Sequence, residues 1–179
     1  MDLILFLTGL LQIGLSLVLG VLFIYGAYKL FYSIILKMDD VKSLQSNNTA
    51  VAILNASIII SLIIIIKNSI DPAVTIFSNT LRSPNSSASD FLMTAILILL
   101  QILVAGVVAF GSIYLAIKFF TWLTKDLDEI EEIKKNNIAV SIVMAFVVFS
   151  VALLINSGIE TLLDSLVPFP PTSILEIGR

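Results

Sequence analysis

Asn47-Asn48-Thr49-Ala50-Val51-Ala52-Ile53 and Asn136-Asn137-Ile138-Ala139-Val140-Ser141-Ile142 are one turn written twice, 89 residues apart. Sliding the chain along itself by that distance extends the match in both directions without a gap. Leu11-Gln12-Ile13 falls on Leu100-Gln101-Ile102, Tyr25 on Tyr114, Lys29 on Lys118, Phe31 on Phe120 and Asp39 on Asp128. Roughly a third of the ~60 paired positions are identical. The period exceeds that of a solenoid and fits a duplicated membrane unit.

The composition around these turns sets the class. Hydrophobic residues make up 58% of the chain and charged residues 13%, against about 25% charged in an average soluble domain. Mean hydropathy is +1.07. Residues 3–36 (broken only by Lys29), 50–66, 91–117 and 138–155 form four apolar runs of the length that marks a transmembrane helix, ~18 residues or more. The pattern predicts an all-α integral membrane protein whose four transmembrane helices form two parallel-repeat hairpins related by a pseudo-two-fold axis. Residues 1–78 are the first two-helix repeat, 79–90 an external linker, 91–167 the second repeat and 168–179 an extended Pro-rich tail.

Orientation follows from the lysines. Lys29, Lys37 and Lys42 surround the first turn and Lys118, Lys125, Lys134 and Lys135 the third, while the opposite side holds Lys67, Arg82 and Arg179. The positive-inside bias places both short turns in the cytoplasm and both termini and the middle loop outside. Asp2 stands where a signal peptide carries basic residues, and the first apolar run is too long for one, so it reads as a retained span.

Each turn has its own grammar. Met38, Val41 and Leu44 recur as Leu127, Ile130 and Ile133 at spacing three. This predicts amphipathic extensions of the first and third spans, with Glu131 and Lys135 placed for an i,i+4 pair. A helix over 3–36 would be ~50 Å long, more than the ~30 Å of hydrocarbon it crosses. Asn47, Asn48, Asn136 and Asn137 fall where the second and fourth spans begin and read as helix caps, with ligand binding as the alternative. Asp71-Pro72 marks a helix break or start just outside the second span.

With its acidic turn and Lys-Lys-Asn-Asn-Ile-Ala-Val leading into a long apolar helix, and the copy of both in the first half, the chain resembles the YjfL-like family. Its members are small bacterial inner-membrane proteins built from a tandem two-helix domain of unknown function. They often carry Gly-Asn at this turn, where both copies here carry Asn-Asn. The resemblance implies the fold and a location in the bacterial inner (cytoplasmic) membrane, multi-pass; it brings no activity and no catalytic residues.

Inside the spans, small residues form stripes: Ser16, Gly20 and Ala27 on the first, and Ala105, Ala109, Ser112 and Ala116 on the third. Such stripes let helices approach closely in lipid. Gln12 and Gln101 sit at matching depth and read as an inter-repeat polar pair or, in an oligomer, as a pore lining. Lys29, Lys118, Tyr25, Tyr114 and Trp122 read as interfacial anchors; an anion-attracting mouth is the other reading of the lysines.

Several classes are disfavoured. The chain has no Cys and no His, which removes thiol chemistry and the commonest acid–base and metal group. No Asp, Glu, Arg or His lies mid-span, where ion-coupled carriers usually need such groups. The cluster Asp126, Asp128, Glu129, Glu131 and Glu132 alternates with the apolar stripe and reads as a solvated face. No basic stripe invites nucleic acid. The expectation is a non-enzymatic, cofactor-free subunit of the inner membrane that oligomerises or docks a membrane or cytoplasmic partner through its repeated turns. An oligomeric ion or small-solute channel with a Gln-lined pore is the alternative.

Overall fold

The computed structural model describes residues 3–36, 47–124 and 127–166. Among them there is no strand, and four helices are long and apolar enough to cross a membrane. The first span is α1 (Leu3–Leu30), which passes into a π turn over Phe31–Leu36. The second begins as α2 (Thr49–Ile66), tightens into a 3-10 turn at Lys67–Ser69 and resumes as α3 (Ile70–Arg82). α4 (Ala88–Leu123) and α6 (Ile138–Asp164) are the other two, with the short α5 (Glu129–Lys134) between them. In hydrocarbon a backbone must satisfy its own polar groups, so proline-free runs of Leu, Ile, Val and Ala become helices there. The chain is a multi-pass membrane protein. Its many exposed large residues, Leu17 at 67% and Leu154 at 80% among them, are the surface that faces lipid.

The boundaries differ from expectation in two places. The loop between the second and third spans is residues 83–87, narrower than 79–90. Toward the end of α3, hydroxyls bond back to helix carbonyls, Thr75 to Asp71 and Thr80 to Ile76. Thr80 also meets Thr94 across the loop at 2.6 Å, and Ser87 with Asp90 closes a capping box that starts α4. Pro72, in the first turn of α3, lacks only an N–H that would be unsatisfied there anyway. The second difference lies beyond α4. The third span does not run on as an amphipathic extension: α4 stops at Leu123, and the Asp128 side chain, accepting from the Glu131 N–H, starts α5 afresh.

α2 is the most enclosed span and α1 the least. α2 and α6 run parallel and are joined along their length: Ser141 Oγ donates to the Ala50 carbonyl, Ser57 Oγ to the Ala145 carbonyl (2.7 Å), and Asn68 Nδ2 to Asn156 Oδ1 (2.9 Å). A two-fold axis does not relate these contacts. It would bring one face of α2 onto the same face of α6, whereas Ala50, Leu54 and Ser61 are fully buried and their repeat equivalents Ala139, Val143 and Ser150 are exposed. The α1–α4 contact departs from two-fold equivalence as well, since the repeat equivalents of Phe23 and Phe110 are Ser112 and Val21. The Phe23 and Phe110 rings stack with centroids 5.9 Å apart, each lying over a glycine of the opposite helix, Gly106 and Gly26.

A methyl group at Gly106 would stand 2.8 Å from the Phe23 ring. Gly106→Ala is therefore expected to lower stability by about 1–3 kcal/mol, and Phe23→Leu in the same chain to restore part of the loss. Thermal unfolding in detergent measures both; a single variant as stable as the parent would refute the contact.

Candidate functional site

The two Asn-Asn turns fold alike and meet. Asn47 and Asn136 are the only described non-glycine residues with positive φ, at 52° and 68°. Asparagine tolerates this left-handed region better than other residues with a side chain, and a glycine would meet the same requirement. The next residue is extended in each turn, Asn48 at φ −75°, ψ 96° and Asn137 at φ −75°, ψ 95°. That conformation aims the side chain at the new helix. Asn48 Oδ1 accepts from the Val51 N–H (2.9 Å) and Asn137 Oδ1 from the Val140 N–H (3.3 Å).

The same amides also clasp the turns together. Asn48 Nδ2 donates to the carbonyl of Lys134 (2.8 Å), at the end of α5, and to that of Ile133 (3.2 Å), which also accepts from the Asn136 N–H at 3.0 Å. The Ala50 N–H, likewise unsatisfied within α2, donates to Asn136 Oδ1 at 3.0 Å. Asn137 Nδ2 reaches Glu132 Oε2 at 3.0 Å, and Lys135 pairs with the other oxygen at 3.2 Å. These partners hold the Glu132 carboxyl below its ordinary range, the Asn137 hydrogen bond contributing most. Lys134 pairs with Glu131 at 3.5 Å, so the ion pairs are i,i+3 rather than the expected Glu131–Lys135.

The apolar residues of the second turn divide. Ile133 is fully buried, Ile130 packs partly against the core, and Leu127 is 46% exposed. Met38, Val41 and Leu44 lie outside the described residues, as does the tail 168–179. Glu129 is 2% exposed and accepts from the Thr124 hydroxyl, so one acid of the supposed solvated face is buried.

The glutamines do not meet. Gln12 is exposed on α1, whereas Gln101 is fully buried and donates to the Leu163 carbonyl at 3.4 Å, its own carbonyl oxygen unpartnered. Sequence reasoning missed the Asn68–Asn156 pair because its members are one position out of repeat register. Tyr25, Trp122, Lys29 and Lys118 are exposed, and Tyr114 borders on it at 36%. The Lys118 ammonium lies 5.8 Å from the Tyr114 ring centroid. Among the described residues no group of three or more His, Cys, Asp or Glu could hold a metal ion. The chemistry at the turns is neutral amide capping and cross-bonding, which fixes backbone geometry.

This architecture defines a small multi-pass helical membrane protein whose turn motif recurs. The family model described as Domain of Unknown Function (DUF350) matches residues 5–105 and, overlapping them, residues 91–172; the chain belongs to that family. No curated protein and no solved structure matches it.

Two predictions follow from the clasp. Asn137→Ala removes a cap, at a cost of about 0.5–2 kcal/mol, together with the bond to Glu132; Asn48→Ala removes a cap and two bonds to α5 backbone carbonyls and is expected to destabilise more. Asn48→Asp, which keeps the acceptor and loses the donor, should fall between them in chemical denaturation; equal losses for all three would show that the cross-turn bonds contribute nothing. Glu132 adds a pH dependence. Its folded pKa lies below its unfolded value, so its contribution is complete above the ordinary carboxylate range, about 4–4.5, and is lost as pH falls through the lowered value. Melting temperature followed down in pH should drop less steeply in Glu132→Gln than in the parent.

Proposed function

We propose that this protein is a non-enzymatic subunit of the bacterial inner membrane that acts by assembly. In this reading it docks further copies or another protein at the end of the bundle that carries both Asn-Asn turns. That end faces the cytoplasm, where the lysine bias puts it, and the termini and the loop at 83–87 lie outside. The observation that carries the reading is the clasp itself. Two turns distant in sequence are fixed against each other by bonds from Asn48 to α5 and from Ala50 to Asn136, which gives the membrane helices a rigid platform outside the lipid. On it, Leu127 is exposed beside the Glu131–Lys134 and Glu132–Lys135 pairs.

The docking stripe is narrower than the sequence spacing implies. Ile133 belongs to the core, so Leu127 and the edge of Ile130 carry the apolar contact, and charge placement carries its specificity. A pore lined by Gln12 and Gln101 draws no support from this geometry, because Gln101 is closed inside the bundle.

Leu127→Ser combined with Lys135→Glu should leave folding intact and reduce capture of partners from gently solubilised membranes at least tenfold. Ile133→Ser serves as the contrast, expected to unfold the turn. Undiminished capture with the first pair of substitutions would refute docking at this surface.

A further inference from the structure

The α2–α6 contact is head-to-tail, and the duplication supplies an unused second copy of each of its halves. On α2 the face in use passes through Ala50, Ser57 and Asn68, all bonded to α6. Its repeat equivalents on α6 are Ala139, Phe146 and Ser157, and all three are exposed. On α6 the face in use passes through Ser141, Ala145 and Asn156. Its equivalents on α2, Ala52, Ala56 and Lys67, are exposed as well. One interface is filled within the chain, and the components of another like it stand open at its two edges.

The register says what fits there. The bonded pairs are separated by 91, 88 and 88 positions, straddling the 89 of the sequence repeat. Passing from α2 to α6 therefore turns the helix about its surroundings without moving it along its axis. A second head-to-tail step of the same kind keeps the next copy at the same depth in the bilayer, and heterologous contacts of this kind close into rings. The two α2 faces are ~120° apart around the helix, at 100° per residue, so closure takes several copies rather than two.

We propose that a second copy of this chain occupies the open face, its α2 surface at Ala52 and Ala56 packing against the α6 surface at Val143 and Phe146 to build a closed head-to-tail ring. Size complementarity agrees. Phe146, 65% exposed, stands where the filled interface has Ser57, and it would lie over Ala56. Small residues opposite large ones permit the close packing that holds helices together in lipid, where no hydrophobic force operates between them. The proposal rests on the reading of the chain as an assembling subunit and assigns the contact between copies to the membrane helices rather than to the turns.

The chain contains no cysteine, so introduced thiols report alone. Chains carrying Ala56→Cys and chains carrying Phe146→Cys, differently tagged, are co-expressed and oxidised in native membranes. The expected product is a mixed-tag dimer that neither variant forms by itself, and the double variant should give a ladder of higher species. Ser57→Cys with Ala145→Cys, which bridges within one chain, sets the efficiency scale. No mixed-tag dimer under conditions that close this internal bridge overturns the proposal. So does each single variant dimerising with itself as readily as with the other, which would mean a two-fold contact. Mass measured in lipid particles separates the two levels: several copies without the 56–146 product refutes this face while leaving self-assembly standing, and a single copy refutes the ring and leaves only the docking of another protein.

Discussion

The structure depends on hydrogen bonds between two parallel helices in a place where apolar burial cannot drive them together. Lipid tails are as apolar as the leucines they solvate, so association of spans rests on close packing and polar contacts. α2 and α6 supply both. Ala50, Ala145 and Ala152 keep the backbones near each other, and serine hydroxyls and asparagine amides reach carbonyls across the gap. The remaining spans lean on this pair. α4 packs on α6 and α2, and α1 touches α2, α3 and α4 while keeping most of its surface in lipid.

The polar clasp at the foot of the pair has a second consequence. A helix start leaves N–H groups with no partner inside the helix. Here the cap of one repeat also serves the other: Asn136 completes the Ala50 N–H, and Asn48 completes the Lys134 carbonyl and adds a second donor to that of Ile133. Neither turn is satisfied alone, which couples the two halves of the chain more firmly than a linker could. The left-handed conformation at Asn47 and Asn136 is held by this mutual support.

Sequence periodicity was a good guide to elements and a poor one to their arrangement. The four spans were legible because apolar length is a one-dimensional property. The caps at Asn48 and Asn137 were legible because capping is local. What self-comparison could not reveal is which face of each helix turns inward. Equivalent residues such as Ala52 and Ser141, or Ser150 and Ser61, have similar chemistry and opposite burial. Their fate depends on neighbours that the repeat does not share; the Phe23–Phe110 stack, for one, has no counterpart at repeat-equivalent positions. Gln12 and Gln101 diverge for the same reason. Ile133 and Glu129 were misplaced because a helix drawn straight through residues 124–128 would leave them facing water, and the restart at Asp128 turns them inward.

Ser61 lies on the α2–α6 seam, fully buried, and its hydroxyl has no partner. Below it, the bonds of Ser57, Ser141 and the asparagine turns tie the two helices tightly; above it, the next tie is Asn68 to Asn156. The polar ties thus cluster at the foot of the seam, and between Ser57 and Asn68 packing takes over from hydrogen bonding, Ile58, Leu62 and Ile65 of α2 all being buried.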